Sequence, residues 1–398
     1  MQKKLRVGIL FGGRSAEHEV SIQSAKNVLI ALDKEKYEPV LIAIDKSGGW
    51  HLADPEALIS APDIKNSNAV EAPKNNGVVL AQGKTRGGQL VSVADSARVA
   101  SHVDVVFPVL HGPFGEDGAV QGLFKLAGVP FVGAGILGSA VGMDKDVMKR
   151  LLRDAGVPIA KFLAFSRTEI PQIRFEDVKS ELGLPLFVKP ANLGSSVGIN
   201  KVRNEEDFNH AVQDAFQYDN KILIEEYIEG REIECSVLGS DSPIASLPGE
   251  IVPNHDFYTY QAKYLDENGA TLEVPAKISQ KTITEIQKLS VRAFKVLCLE
   301  GMARIDFFLK PSGEVIFNEA NTIPGFTKIS MYPKLWGVRN ETKNLIPAIC
   351  AEISCSKRTI LQPALGFSAL AGARLPKLSR RGVLGAIKLR GTLPENGY

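Results

Sequence analysis

Leu5-Arg6-Val7-Gly8-Ile9-Leu10-Phe11-Gly12-Gly13 is an apolar run closed by a glycine pair. Its length suits a buried strand, and glycine permits a tight turn after it. A helical pattern covers residues 20–32, and residues 40–44 form a second short run with β-branched side chains. Strand, glycine turn, helix and strand open a parallel α/β unit. The turn does not spell GxGxxG, and GxxxxGK[S/T] occurs nowhere in the chain. A nicotinamide-dependent oxidoreductase is therefore weakly supported.

Outward from that unit, residues 47–101 are polar, rich in Gly, Pro, Asn and Ser, and without a sustained period. They read as a long excursion with short local elements. Residues 103–110 are another strand run, ending at His111, with a helix at 118–127 and a strand at 130–132. Beyond them the pattern predicts helices at 143–155, 205–217 and 279–297. It predicts an extended segment at 158–165 and strands at 184–190, 221–227, 231–238, 244–247, 303–309 and 315–319, with a loop at 253–270. This order lacks βαβ regularity and reads as an α+β region of two lobes.

The 398 residues suffice for two or three domains. With 44% apolar and 23% charged residues, a fibrous or wholly disordered chain is excluded. The net charge of +2 is unevenly spread. From Ala351 onward there are eight basic and two acidic residues, so the preceding 350 carry −4. The main body thus offers no charge argument for nucleic acid. Cys235, Cys298, Cys350 and Cys355 form no CxxC and are too sparse for a disulfide framework, which fits reduced thiols. The N-terminal apolar run is too short for a signal peptide, and no run reaches membrane-spanning length.

Three segments carry candidate chemistry. In Gly194-Ser195-Ser196-Val197-Gly198, backbone amides and two hydroxyls can cradle an anion, with Lys189 just upstream. A serine nucleophile is a weaker reading, because the sequence is not GxSxG. Asp306 lies in one predicted strand, and Glu319 and Asn321 share one face of the next. Oxygen donors of this kind suit Mg²⁺ together with phosphate oxygens. Arg304, two residues from Asp306, can face the same site and hold a carboxylate or a developing anion. His111-Gly-Pro-Phe-Gly-Glu-Asp-Gly118 follows a strand end, where ligands bind in open α/β sheets. Glu116 and Asp117 are placed to cap the following helix, and His111 has no companion at zinc-ligand spacing.

These segments, with Gly12-Gly-Arg-Ser-Ala-Glu-His-Glu-Val-Ser21, Met143-Asp-Lys145, Glu225-Glu-Tyr-Ile-Glu-Gly-Arg-Glu232, Tyr260-Gln-Ala-Lys-Tyr264 and Glu319-Ala-Asn-Thr-Ile-Pro-Gly-Phe-Thr327, resemble the D-alanine–D-alanine ligase family of the ATP-grasp superfamily. The resemblance runs from about Val7 to Trp336. It implies a Rossmann-like, pre-ATP-grasp α/β domain at residues 1–140, then a two-lobed α+β ATP-grasp fold. Its central domain is 141–230 and its C-terminal domain 231–350, leaving 351–398 as a basic, poorly ordered tail. It implies ATP-dependent ligation of two D-alanines through a D-alanyl phosphate, with two Mg²⁺ or Mn²⁺. Lys145, Lys189, Ser196, Glu225, Tyr227, Ile228 and Glu232 match nucleotide-binding positions, and Asp306, Glu319 and Asn321 match metal ligands. Glu17 matches the group that orients the first amine, within a Glu17–Ser195–Tyr264 network. Arg304 and the Gly325 amide match the oxyanion site, and His111, Lys263 and Ser330 match substrate positions. Tyr264 favours the dipeptide, with D-lactate- or D-serine-using relatives as the alternative. The family further implies a homodimer in the bacterial cytoplasm that supplies a peptidoglycan precursor, with no nucleic acid or membrane partner.

Overall fold

A computed structural model describes residues 4–60, 77–83, 87–195, 197–253 and 270–337. Strand β1 (Leu5–Gly12) leads through α1 (His18–Ala31) to β2 (Tyr37–Ile44), the unit predicted from the opening run. The excursion holds β3 (Trp50–Leu52), α2 (Pro55–Ser60), β4 (Val78–Gln82), β5 (Gly88–Ser92) and β6 (Val99–Val103), and β7 (Val105–Val109) follows. The first sheet has the order β3-β2-β1-β7, and β1 is parallel to both of its neighbours. A strand flanked on both sides and covered on both faces must be apolar throughout, and Val7, Ile9, Leu10 and Phe11 are fully buried.

Strands β4, β5 and β6 form a separate antiparallel sheet. The run predicted at 103–110 is therefore divided at Asp104 between two sheets. The Asp104 carboxylate accepts a 2.7 Å hydrogen bond from the Arg6 amide, which fixes the change of direction. Helices α3 (Ala119–Leu126), α4 (Ile136–Met143) and α5 (Lys145–Asp154) follow. The helix predicted at 143–155 thus begins two residues late. Asp144 is extended, with φ −81° and ψ 101°, and its carboxylate accepts from the Asp146 and Val147 amides as the N-cap of α5.

Next come β8 (Phe162–Ser166), α6 (Phe175–Leu182), β9 (Leu186–Pro190), β10 (Asn200–Val202), α7 (Glu205–Tyr218) and β11 (Lys221–Glu226). They form an antiparallel sheet ordered β10-β9-β11-β8. Leu186, Val188, Ile222 and Ile224 pack with Phe208, Ala211 and Ala215 of α7. Alternation then sends Lys189 and Glu225 to the opposite face.

The last sheet comprises β12 (Arg231–Leu238), β13 (Ile244–Ala245), β14 (Gly249–Pro253) and β15 (Ala270–Glu273). After α8 (Gln280–Val296) it continues with β16 (Met302–Leu309) and β17 (Val315–Asn321), and α9 (Met331–Gly337) ends the described chain. The order is β15-β14-β12-β16-β17, with β13 beside β12. Ile233, Cys235, Ile305 and Phe307 pack with Phe294 of α8 and with Leu297 just after it. Their alternates on the other face are Glu234, Arg304 and Asp306. Ile323, Phe326, Tyr332 and Trp336 join the core of the first sheet, where Phe107 and Phe326 meet edge to face at 5.8 Å. That packing holds the segment after β17 against α1 and β7.

Candidate active site

Strand register builds the floor of the site. Glu234 of β12 stands opposite Asp306 of β16, and Asp306 stands opposite Glu319 of β17. Arg304 is opposite Asn321 in the adjacent row. Three carboxylates in line would repel one another, and Arg304 offsets part of that charge. Its Nε and Nη2 donate to Asp306 Oδ1 and Oδ2 at 2.8 and 2.7 Å, and Nε lies 2.9 Å from Glu234 Oε2. Asn321 Nδ2 donates to Asp306 Oδ2 at 2.9 Å.

The walls come from loops held by specific bonds. His111 Nδ1 lies 2.9 Å from the Ile323 carbonyl, so Nδ1 carries the proton, and Nε2 faces Ser24 Oγ at 3.4 Å. Ser24 Oγ accepts from the Phe326 amide at 3.0 Å, and the Ser330 hydroxyl accepts from the Thr327 amide at 2.9 Å. Together these bonds shape the turn at Pro324 and Gly325. Ser195 sits in the glycine loop at φ 54°, a conformation L-residues seldom adopt. The resulting cavity encloses about 100 Å³ and is lined by Glu17, His111, Ser195, Arg304, Glu319, Asn321, Gly325 and Ser330, with Glu116 and Glu234. A smaller cavity adjoins it, sharing Glu116, Gly194, Glu319 and Asn321 and adding Lys145.

Behind the smaller cavity lies a cluster of buried charges. Lys189 Nζ is 2.7 Å from Glu225 Oε2, and Lys149 Nζ is 3.3 Å from Glu225 Oε1. Burial alone would raise the Glu225 carboxyl, but Lys149 and Lys189 outweigh it and hold the group below its usual value. Burial pushes the Lys145 and Lys149 ammonium groups down, against the pull of Glu319 and Glu225. Lys145 Nζ donates to the Leu193 carbonyl and its amide to the Ala191 carbonyl, joining α5 to the start of the glycine loop.

The structure thus gathers Glu17, His111, Ser195, Arg304, Glu319, Asn321, Gly325 and Ser330 around one cavity. Lys145 lines the adjoining one, and Lys189 and Glu225 stand behind it. Asp306 is buried beneath Arg304. Tyr227, Ile228 and Glu232 line neither cavity. Tyr227 is exposed beyond β11, with Lys201 Nζ 4.1 Å from its ring centre, and Ile228 is buried with Ala160 and Ile316. Ser196, Lys263 and Tyr264 lie outside the described residues, as does the tail at 351–398.

Glu116 does not cap the next helix. Asp117 bonds the Phe114 and Ala119 amides at that turn. Glu116 instead accepts from Gly112 N at 2.9 Å, Ile323 N at 2.8 Å and Thr322 Oγ1 at 3.2 Å, joining residues 112 and 323. Burial raises its carboxyl above the usual value. Glu234 and Lys149 were also not singled out in the sequence. Alternation with Ile233 and Cys235, and four-residue spacing from Lys145, were the signals available.

The "D-ala D-ala ligase N-terminus" family model matches residues 6–134 and the "D-ala D-ala ligase C-terminus" model residues 151–348. A D-alanine–D-alanine ligase of Oceanobacillus iheyensis is 52% identical over 84% of this chain and 90% of its own length. D-alanine–D-alanine ligase A of Escherichia coli K12 is also 52% identical, over 84% of this chain and 91% of its own. The chain belongs to the D-alanine–D-alanine ligase family. The solved ligase of Coxiella burnetii superposes with a TM-score of 0.76 at 39% identity, covering 90% of this chain and 97% of that one. The VanG D-Ala:D-Ser ligase of Enterococcus faecalis superposes at 0.77 with 35% identity, covering 88% and 100%. Like these ligases, this family member has mixed α/β architecture, in four sheets among the described residues. No described helix is long and apolar enough to cross a membrane.

The donor set at β16 and β17 bears on the Mg²⁺ that the sequence resemblance implies. Asp306, Glu319 and Asn321 offer only oxygen ligands, the chemistry a hard cation needs. Asp306 already shares both oxygens with Arg304 and Asn321, so a cation there would compete with those bonds. The residues fit the ion chemically.

Proposed function

We propose that this chain joins two D-alanines into D-alanyl-D-alanine, converting ATP to ADP and phosphate, for peptidoglycan precursor supply. The carrying observation is the polar cavity that joins Glu17 and His111 to Arg304, Glu319 and Asn321 from the last sheet. In the reading we favour, the carboxylate of one D-alanine attacks the γ-phosphoryl group of ATP and ADP leaves. The amine of the second D-alanine, having lost a proton, attacks the acyl carbon of the D-alanyl phosphate, and phosphate leaves. Activation is needed because a free carboxylate is a poor acyl donor.

Glu17 orients the ammonium of the first D-alanine, and His111 borders the same substrate. Arg304 and the Gly325 amide face the tetrahedral oxygen, where a fixed cation and N–H donor act most strongly. Ser195 belongs to a network with Tyr264, and Ser330 and Lys263 serve the second carboxylate and the phosphate side. Lys145, Lys189 and Ser196 take the nucleotide phosphates, and Glu225, Tyr227, Ile228 and Glu232 take the nucleoside. Asp306, Glu319 and Asn321 would hold two Mg²⁺, which when bound offset charge on the transferring phosphoryl group.

The same reading makes the first sheet a Rossmann-like, pre-ATP-grasp domain and the remainder a two-lobed ATP-grasp unit, with borders near residues 140, 230 and 350. It makes the protein a cytoplasmic homodimer. Support for a dimer comes from Leu126, Leu137 and Ile136, which are 85%, 62% and 45% exposed on α3 and α4. The test is ADP release with Mg-ATP and D-alanine, alone and with D-serine or D-lactate, with products identified by mass. D-alanyl-D-alanine should dominate. Absence of D-alanine-dependent ADP release, or faster formation of a mixed product at neutral pH, would overturn the reading.

A further inference from the structure

Lys149 is a fully buried cation that the proposed reaction does not use. Removing an ammonium from water is costly. A methionine of similar length would fill the same space without that cost, so packing alone does not account for a lysine. Among the described residues its ion-pair partner is Glu225, on β11, and the Glu319 charge acts on it more weakly. Each oxygen of that carboxylate faces a different lysine, Oε2 at 2.7 Å from Lys189 and Oε1 at 3.3 Å from Lys149. The two lysines are not equivalent. Lys189 is the penultimate residue of β9, shortly before the glycine loop, and its side chain retains 9% exposure. The side chain of Lys149 retains 1%, on the face of α5 that carries Lys145 one turn earlier.

A lysine that meets an arriving phosphate must loosen its hold on Glu225. Left alone, a buried carboxylate stripped of its cation is costly. Lys149 pairs with the other oxygen of Glu225, so the carboxylate has a second cation at hand if Lys189 turns away. We propose that Lys149 is a positioning residue of the nucleotide site, a fixed counter-ion that keeps Glu225 charged and in place while Lys189 transfers to nucleotide phosphate. This rests on the assignment of Lys189 and Glu225 to that site.

The test compares Lys149→Met, Lys149→Arg and Lys189→Met in the full-length protein. Thermal unfolding, Mg-ADP affinity by calorimetry and steady-state kinetics are measured for each. Lys149→Met should weaken ADP binding and raise KM for ATP about tenfold, the scale of one charged contact. KM for D-alanine and kcat should stay within about threefold, a split that a general loss of structure does not produce. Lys149→Arg should recover most of the ATP affinity. If Lys189→Met weakens ADP binding while a folded Lys149→Met does not, this proposal fails alone. If Lys189→Met also leaves ADP binding unchanged, the nucleotide-site assignment fails with it. Should Lys149→Met not fold, a wild-type structure with Mg-ADP decides. Lys189 Nζ should then lie on a phosphate oxygen, with Lys149 Nζ still within about 4 Å of Glu225. Lys189 remaining on Glu225, or Lys149 leaving it, overturns the proposal.

Discussion

Glu319 stands where the two cavities meet, opposite Asp306 and within the field of Lys145. A change to alanine removes a charge and an oxygen donor from a half-buried strand position, while the apolar alternates of β17 keep packing on α8. Glu319→Ala should therefore fold normally, by circular dichroism and thermal unfolding, yet lose roughly a hundredfold or more in Mg-ATP-dependent turnover. Near-normal turnover in the folded variant would sink the metal assignment. Gly325 allows a different test. A Cβ there would sit 2.7 Å from the Ser330 hydroxyl, which the Thr327 amide holds at 2.9 Å. Gly325→Ala should push that hydroxyl aside and raise KM for D-alanine about tenfold, the scale of a disturbed polar contact. KM for ATP should not change, and equal loss for both substrates would argue against a local effect. Residue types and spacing made Arg304, Asp306, Glu319 and Asn321 legible in the sequence. Glu234 was not, because its place beside Arg304 depends on which strand lies next to β16, and register is a property of the folded sheet.

Among the elements, periodicity located β1, α1, β2, β7, α3, α5, β8, β9, α7, β11, β12, β13, α8, β16 and β17, but gave no place to α2, α4, α6, β10, β14, β15 or α9, nor to the individual strands β3 to β6 of the excursion. The helix predicted at 143–155 treats Asp144 as interior, whereas its backbone N–H ends one helix on the Ala140 carbonyl and its carboxylate starts another. Lys221 reinforces that cap, with Nζ 2.6 Å from Asp144 Oδ2 and 3.3 Å from Asp146 Oδ2. Helix α5 carries Lys145 and Lys149, so the cap fixes the start of the helix that bears both buried lysines. Asp144→Ala should cost about 1 kcal/mol of stability and raise KM for ATP more than KM for D-alanine. Partial burial alone would lower the Lys221 ammonium, but Asp144 and Asp146 outweigh it and hold the group above the usual lysine range. A raised cation contributes stability in full below its unfolded value, and the contribution is lost as pH rises through the folded value. The wild type should therefore lose stability above about pH 10.5, and Asp144→Ala should flatten that alkaline limb. Chemical denaturation at pH 8 through 11.5 is the measurement, and parallel curves for the two proteins would refute the tie.

At the scale of the molecule, the site is built from segments far apart in the chain. Glu116 bonds Ile323 across 207 positions, and Phe326 donates to Ser24 across 302. Local pattern cannot predict such pairings, although the separate motifs they join were visible. Every site residue among the described ones precedes residue 337, and the family match ends at residue 348. The stretch from Ala351 carries +6 of charge, while the preceding body carries −4. If catalysis belongs to the body, ending the chain after Ser356 should leave kcat and both KM values within about twofold, since no bond described at the site involves a later residue. Removing the basic segment should instead weaken retention on a cation-exchange column, which reads surface charge and not turnover. Purified full-length and shortened proteins, compared at equal concentration and ionic strength, separate the two effects. A fall in kcat/KM for D-alanine would make the basic segment part of the enzyme. Unchanged kinetics with earlier elution would assign the excess charge to an appendage and the chemistry to the ligase body.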